Sequence, residues 1–276
     1  MSETSTVVKT AQDYYNSDGA DKFYSQVWGG EDIHIGLYEG EEDSVFEASR
    51  RTVVKLASLL SLTKDTPVLD IGAGYGGAAR YLAKNSGCSV TCLNLSEVQN
   101  QRNRLLNLEL GLQSLIKVVD GNFEAIPLED SSFQVVWSQD AILHSGDRQS
   151  VLQEVNRVLQ SGGEFIFTDI MQRRDCSQKQ LQPVLNRIHL DSLGSVEFYQ
   201  ETAATLGWEE IQWLDLSHQL VNHYSHILAV VNRKYEEVVL TCGQDYIDQM
   251  KVGLQHWIDA GNQGNIRWGI LHFRKP

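Results

Sequence analysis

Two groupings in this chain have residue types and spacings suited to chemistry. In Trp137-Ser138-Gln139-Asp140-Ala141-Ile142-Leu143-His144 the Asp140 carboxylate and the His144 imidazole stand four apart, so a short helix would put both on one face. Such a pair can orient an imidazole and raise its basicity, as general-base work requires. The second grouping, Asp70-Ile71-Gly72-Ala73-Gly74-Tyr75-Gly76-Gly77, follows an apolar run and precedes a helical pattern. Glycines there let the backbone approach a ligand closely, and Gly72, Gly74 and Gly77 satisfy the dinucleotide fingerprint GxGxxG. Two features tilt against NAD: an aspartate directly before the turn favours a cationic ligand over a pyrophosphate, and the second strand ends in Asn94 where a ribose-binding carboxylate is usual.

The elements that must carry these groups alternate. Short apolar runs at 67–70, 89–93, 116–119, 133–137 and 164–168 read as strands buried on both faces, and helical periods intervene at 78–83, from Ser96 to Gly111 and at 151–159. Ser96 followed by Gln99 is a capping-box pattern, and Gly162-Gly163 should end the helix before them. This predicts an α/β fold with a doubly wound, mostly parallel sheet. Residues 170–195 show no clear period; 196–206 reads as helix, 209–216 as strand, 217–261 as helical and 266–273 as a last strand. A helical insertion before the terminal strand and a helical N-terminal segment at 7–27 are thus expected to close over the carboxyl ends of the strands, where a ligand should sit. The reading is one domain, 1–276, with an N-terminal lid and helices at 1–60, a cofactor-binding core at 61–169 and a substrate side at 170–276.

Composition narrows the partners. With 276 residues, 42% hydrophobic and 21% charged, the chain reads as a soluble globular domain, and no apolar run approaches bilayer length. Its 36 acidic against 23 basic residues give a net charge of −13, which repels nucleic acid and anionic membrane surfaces alike. The start has no signal or transit pattern, so a cytoplasmic protein is expected. Cys88, Cys92, Cys176 and Cys242 form no CxxC pair and read as buried thiols; His218, His223 and His226 lack Asp, Glu or Cys at ligand spacing, so no metal is expected.

Asp120-Gly121-Asn122-Phe123 after the third strand and Leu159-Gln160-Ser161-Gly162-Gly163 before the fifth, taken with the glycine turn, resemble landmarks of the class I S-adenosylmethionine-dependent methyltransferases. That resemblance implies a seven-stranded sheet and S-adenosylmethionine as cofactor: Asp70 at its amino end, Gly72 and Gly74 against its backbone-facing side, Asn94 at the ribose, Leu95, Asn122 and Phe123 around the adenine, with Gln99 and Gln139 alongside. Longer strings are similar to the sarcosine/dimethylglycine N-methyltransferases that make glycine betaine: FYSQVWGGEDIHIGLY at 23–38, WSQDAILHSGDR at 137–148, RIHLDSLGSVEFY at 187–199 and HQLVNHYSHIL at 218–228. A more distant similarity reaches the phosphoethanolamine methyltransferases, through the spaced Tyr15 and Tyr24, the Asp140-to-His144 run and Asp215-Leu216-Ser217. It implies that Tyr15, Asp140 and His144 close over cofactor and amine and assist transfer. A small amino-acid substrate would then meet the aromatic faces of Tyr24, Trp28 and Trp257, and Met171 beside the fifth strand. Its carboxylate would find a donor among Arg187, His189, His223 and Tyr224. Another small amine on the same scaffold, such as phosphoethanolamine, and ligand binding without turnover are the competing readings.

Overall fold

Apolar runs bounded by turns become strands: β1 Pro67–Ile71, β2 Ser89–Asn94, β3 Ile116–Asp120, β4 Phe133–Gln139, β5 Leu159–Gln172, β6 Glu209–Asp215 and β7 Ile266–Arg274. They form one sheet in the order β3-β2-β1-β4-β5-β7-β6, parallel except for β7, which runs antiparallel to both neighbours. This computed structural model describes residues 9, 10, 12, 13, 16, 23, 27, 28, 30–188 and 190–276, the Arg187 side chain apart. The expected lid at 7–27 therefore lies largely outside the described residues. Among those described, no helix is long and apolar enough to cross a membrane.

Nine α-helices are described: α1 Val45–Ala57, α2 Gly77–Ser86, α3 Glu97–Glu109, α4 Arg148–Val158, α5 Gln178–Ile188, α6 Val196–Thr205, α7 Ser217–Arg233, α8 Tyr235–Cys242 and α9 Gln244–Asn262. Several boundaries correct the sequence expectation. Helix α4 stops at Val158, and Gly162-Gly163 lie inside the longer strand β5, where Gly162 takes φ +79°. The stretch without a period holds the end of β5 and α5, and the helical insertion is three helices, broken at Lys234 and at Gly243. Only half of the capping box forms: Ser96 Oγ accepts from Gln99 N at 3.3 Å, while the Gln99 side chain accepts from Asn94 Nδ2 at 3.1 Å. Cys88, Cys92 and Cys176 are buried free thiols, and Cys242 is half-buried.

Helix α3 turns an unusual face inward. Gln99, Asn100, Asn103 and Asn107 are buried, while Val98, Leu105 and Leu108 are exposed. The reason is Arg80 on α2, a buried guanidinium that must be paired. Its Nη1 donates to Asn103 Oδ1 and Asn107 Oδ1, both at 2.9 Å, its Nη2 to the Tyr75 carbonyl and its Nε to Glu31 Oε2 at 2.8 Å. One cation thus joins α2, α3, the glycine turn and the segment entering α1. Arg80→Met should lower stability by about 3 kcal/mol, because it strands Glu31 and two buried amides. Urea denaturation of the variant checks this, and a wild-type midpoint would show that the polar interior of α3 has another cause.

Candidate active site

The strand order reverses between β1 and β4, and the crevice beyond their carboxyl ends is the site. Asp70 is the penultimate residue of β1, within its buried run and paired in register with Cys92 and Trp137. The chain then turns through Gly72 at φ +77°, Gly74 at +53° and Gly76 at +79°, values that favour glycine. Space is equally decisive. A Cβ on Gly72 would lie 2.3 Å from Ala141 Cβ, and one on Gly77 would lie 2.1 Å from Asp32 Oδ1.

Two adjoining spaces flank this turn. The larger, about 710 Å³, is lined by Gly72, Gly74, Asn94, Leu95, Gln99, Asn122, Phe123 and Gln139, and on its far side by Asp140, Ala141 and His144. The smaller, about 320 Å³, is lined by Asp70 together with Asp32, His34, Gly72, Gly74 and Gln139. Every residue expected at the cofactor therefore borders one or both spaces. Gln12, Asp32, Ile33 and His34 also do so, and nothing local in the sequence marks them: residues 30–38 carry neither a strand nor a helix period, and Gln12 is one polar residue in a helical pattern. Gln12 Nε2 donates to the Leu95 carbonyl at 3.3 Å and Ser96 Oγ to Asn16 Oδ1 at 2.7 Å, so described parts of the N-terminal segment reach the mouth of the larger space.

The smaller space suits the amino-acid end of S-adenosylmethionine. Asp32 Oδ1, His34 Nε2 and Gln139 Nε2 are buried there without hydrogen-bond partners, a mixture that fits a zwitterion. Asp70 is 3% exposed, and burial followed by the nearby Asp32 pushes its carboxyl up to about 7. Asn94 and Gln99 share a hydrogen bond on the wall of the larger space, while Asn122 Oδ1 accepts from Glu124 N at 2.9 Å, which fixes the loop that faces it.

The expected pairing of Asp140 with His144 is corrected. Asp140 precedes the 3-10 turn Ile142–His144 in a left-handed conformation, φ +48°, so the two residues do not share a regular helix face. Its Oδ2 accepts from Ile35 N and its Oδ1 from Trp268 Nε1, each at 2.7 Å. His144 is half-buried, and burial, together with the Arg148 guanidinium, pushes its imidazole down to about 4. It is therefore uncharged at neutral pH, but its basicity is not raised by Asp140.

The acceptor-side candidates separate. Tyr15, Tyr24 and His189 lie outside the described residues, as does the side chain of Arg187. Met171 is a core residue, fully buried with Ile142, Phe167 and Tyr199. Trp28, His223, Tyr224 and Trp257 pack together in the helical cluster: Trp28 meets His223 edge-on at 5.1 Å, and Tyr224 stacks on Trp257 at 5.3 Å. None of these five lines either space. His223 Nδ1 accepts from Gly36 N at 3.1 Å and lies 3.0 Å from the Tyr38 hydroxyl, and His226 bonds the Asn222 and Glu41 carbonyls. Among the described residues no cluster of His, Cys, Asp and Glu forms a metal site.

The Asp70 environment predicts a pH dependence with a definite sign. Below about pH 7 the ligand-free protein keeps Asp70 protonated, whereas a bound ammonium favours the carboxylate, so binding must expel a proton there. Affinity for S-adenosylmethionine and its demethylated product should rise up to tenfold per unit as pH climbs to about 7 and then level off. Asp70→Asn should bind weakly and lose this dependence. Calorimetry from pH 5.5 to 8.5 checks both, and a flat wild-type profile would contradict the assignment.

Comparison with known proteins agrees with this geometry. The methyltransferase domain family matches residues 69–167. Over 277 residues the chain is 53% identical to the sarcosine/dimethylglycine N-methyltransferase of Aphanothece halophytica, covering the whole of both chains. It is 52% identical to the protein of the same name from Halorhodospira halochloris, covering 97% of this chain and 96% of that one. A crystal structure from Galdieria sulphuraria, described provisionally as a sarcosine dimethylglycine methyltransferase, matches with a TM-score of 0.90 at 42% identity, covering 95% of this chain and 98% of the other. A glycine turn beside a buried carboxylate, an uncharged imidazole across the same cleft and whole-length likeness converge: the chain belongs to the sarcosine/dimethylglycine N-methyltransferases, S-adenosylmethionine-dependent enzymes of the class I methyltransferase fold.

Proposed function

We propose that this protein methylates the nitrogen of sarcosine and of dimethylglycine, the second transfer yielding glycine betaine. The observation that carries the reading is that His144, uncharged at neutral pH, lines the same space as Asn94, Leu95, Asn122 and Gln139. A nitrogen in contact with that imidazole lies within the cofactor cleft. The acceptors are those named for the full-length relatives.

The cofactor supplies a methyl group on a sulfonium, and the acceptor must present a free lone pair in line with it. Dimethylglycine enters largely as an ammonium whose single N–H must leave before the nitrogen can attack. The neutral imidazole of His144 accepts that proton and relays it to solvent. Its depressed basicity is less of an obstacle than solution values imply, because the burial that disfavours imidazolium disfavours the substrate ammonium too. Asp140, held by Ile35 and Trp268, fixes the wall that abuts the glycine turn at Gly72. By the resemblance, Tyr15 and Tyr24 are assigned to the methylated ammonium through their aromatic faces, and Arg187 and His189 remain the candidate donors for the carboxylate, whereas Trp28, Trp257, His223 and Tyr224 back the site from the helical cluster and line neither space.

Each added methyl buries apolar area worth roughly 25 cal/mol per Å². Sarcosine and dimethylglycine should therefore turn over well, glycine poorly, and phosphoethanolamine and dimethylethanolamine least. Mass spectrometry of products from the five acceptors decides this; glycine outrunning dimethylglycine would overturn the acceptor assignment, and no S-adenosylhomocysteine from any of them would favour a ligand-binding protein.

His144→Ala should lower kcat by roughly 10²- to 10⁴-fold. Cofactor affinity should stay near wild type, with part of the rate recovered at high pH, where the free amine is abundant. A pH–rate profile with the same proportional loss throughout would make His144 a packing residue instead.

A further inference from the structure

We propose that Arg148 and Asp169 are positioning residues that hold the turn carrying His144 and tie it to the acceptor-side segment 190–194. The proposal rests on the reading of His144 given above. Both residues act on the peptide units of Leu143, immediately before His144. Asp169 Oδ1 accepts from Leu143 N at 3.0 Å, and Arg148 Nη2 donates to the Leu143 carbonyl at 2.9 Å. His144 N donates in turn to the Ala141 carbonyl at 3.1 Å, so the imidazole leaves a backbone fixed on each side.

The same groups reach across to the segment that precedes α6. Arg148 Nη2 also donates to the Ser192 carbonyl at 2.6 Å, and Asp169 Oδ2 accepts from the Tyr199 hydroxyl of α6 at 2.5 Å. Gln172 secures the neighbouring residues: its N donates to the Gly194 carbonyl at 2.7 Å, and its Oε1 accepts from Leu193 N at 3.1 Å. Asp169 is fully buried in the middle of β5, where an apolar side chain would cost nothing to desolvate. A carboxylate there is explained by the backbone N–H and hydroxyl that it receives. Residues 190–194, which follow the acceptor candidates Arg187 and His189 in the chain, are thus joined through one nitrogen of Arg148 to the carbonyl beside His144. Alignment of the imidazole thereby depends on the acceptor side being in place.

A double-mutant cycle separates this role from a general structural one. Arg148→Met should lower kcat with dimethylglycine at least tenfold and raise the acceptor KM, with cofactor affinity within about twofold of wild type by calorimetry. Arg148→Lys should recover most of the loss, because a single ammonium can serve both carbonyls. In the His144→Ala background, Arg148→Met should cost less than about twofold further in kcat, since the group it positions is gone. Tyr199→Phe, which removes only one hydroxyl, should give a smaller loss that also vanishes in that background, and it serves if Arg148→Met fails to fold. Equal proportional losses in both backgrounds would overturn the proposal. Full turnover by His144→Ala alone would instead overturn the role of His144 itself.

Discussion

The active-site wall depends on one half-buried carboxylate. Asp140 receives a backbone N–H from Ile35, 105 residues before it, and the indole N–H of Trp268, 128 residues after it, while its own N–H donates to the Thr168 carbonyl of β5 at 3.0 Å. The segment before α1, the last strand and the turn that bears His144 therefore meet at a single side chain. Burial pushes its carboxyl up, an effect opposed by the neighbouring His34 and by those donors. An amide would not substitute: both oxygens accept, so an Asn would set its NH2 against an N–H on one side. The left-handed backbone at Asp140 persists because bonds from three elements overdetermine it.

Burial acts with opposite sign on two groups in the two adjoining spaces. It raises Asp70, which is left without a cationic partner close enough to hold its charge, and it lowers His144, which is kept neutral. The first makes the small space receptive to a cation; the second keeps the imidazole in its uncharged form. A chain of net charge −13 adds a long-range field of the sign that draws in a sulfonium. Arg50, which pairs with Asp32 at 2.8 Å, and Arg80, which pairs with Glu31, hold the acidic segment 31–32 against the glycine turn without neutralising Asp70.

Features written in local patterns were legible in the sequence. Strands β1, β2 and β4 follow from apolar runs closed by turns, the helix at Ser96 from its cap, and the turn after β1 from its glycines. Features set by partners far along the chain were not. The spacing of Asp140 and His144 suggests a helical pair, but nothing local announces Ile35 or Trp268 as the true partners. Helix α3 shows the same limit, because its buried Asn103 and Asn107 answer Arg80 on another helix, and its Gln99 and Asn100 answer the ends of β2 and β3. Helix α5 was hidden by Pro183 within it and by short flanks, and the early start of β5, before the strand expected at 164–168, by two glycines that usually end an element rather than sit inside one.

The segment 33–38 shows how cofactor side and acceptor side become one structure. Its inner residues Ile33 and His34 border the spaces beside the glycine turn, while Tyr38 is bonded to α7 twice: Tyr38 N donates to Gln219 Oε1 at 2.9 Å, and Gln219 Nε2 returns to the Tyr38 carbonyl at 3.0 Å. Between them, Gly36 N donates to His223 Nδ1, which fixes that ring as the tautomer with its proton on Nε2. Phe23, Val27, Trp28 and Ile35 share a core with α7, α9 and Trp268 of β7. The start of the chain and the insertion before the last strand therefore bury one apolar surface together, and neither can move without disturbing residues that line the cofactor cleft. Residues 33–38 thus hold the wall of the cofactor cleft to the helical cluster that lies behind it, so packing in that cluster is felt at the cleft.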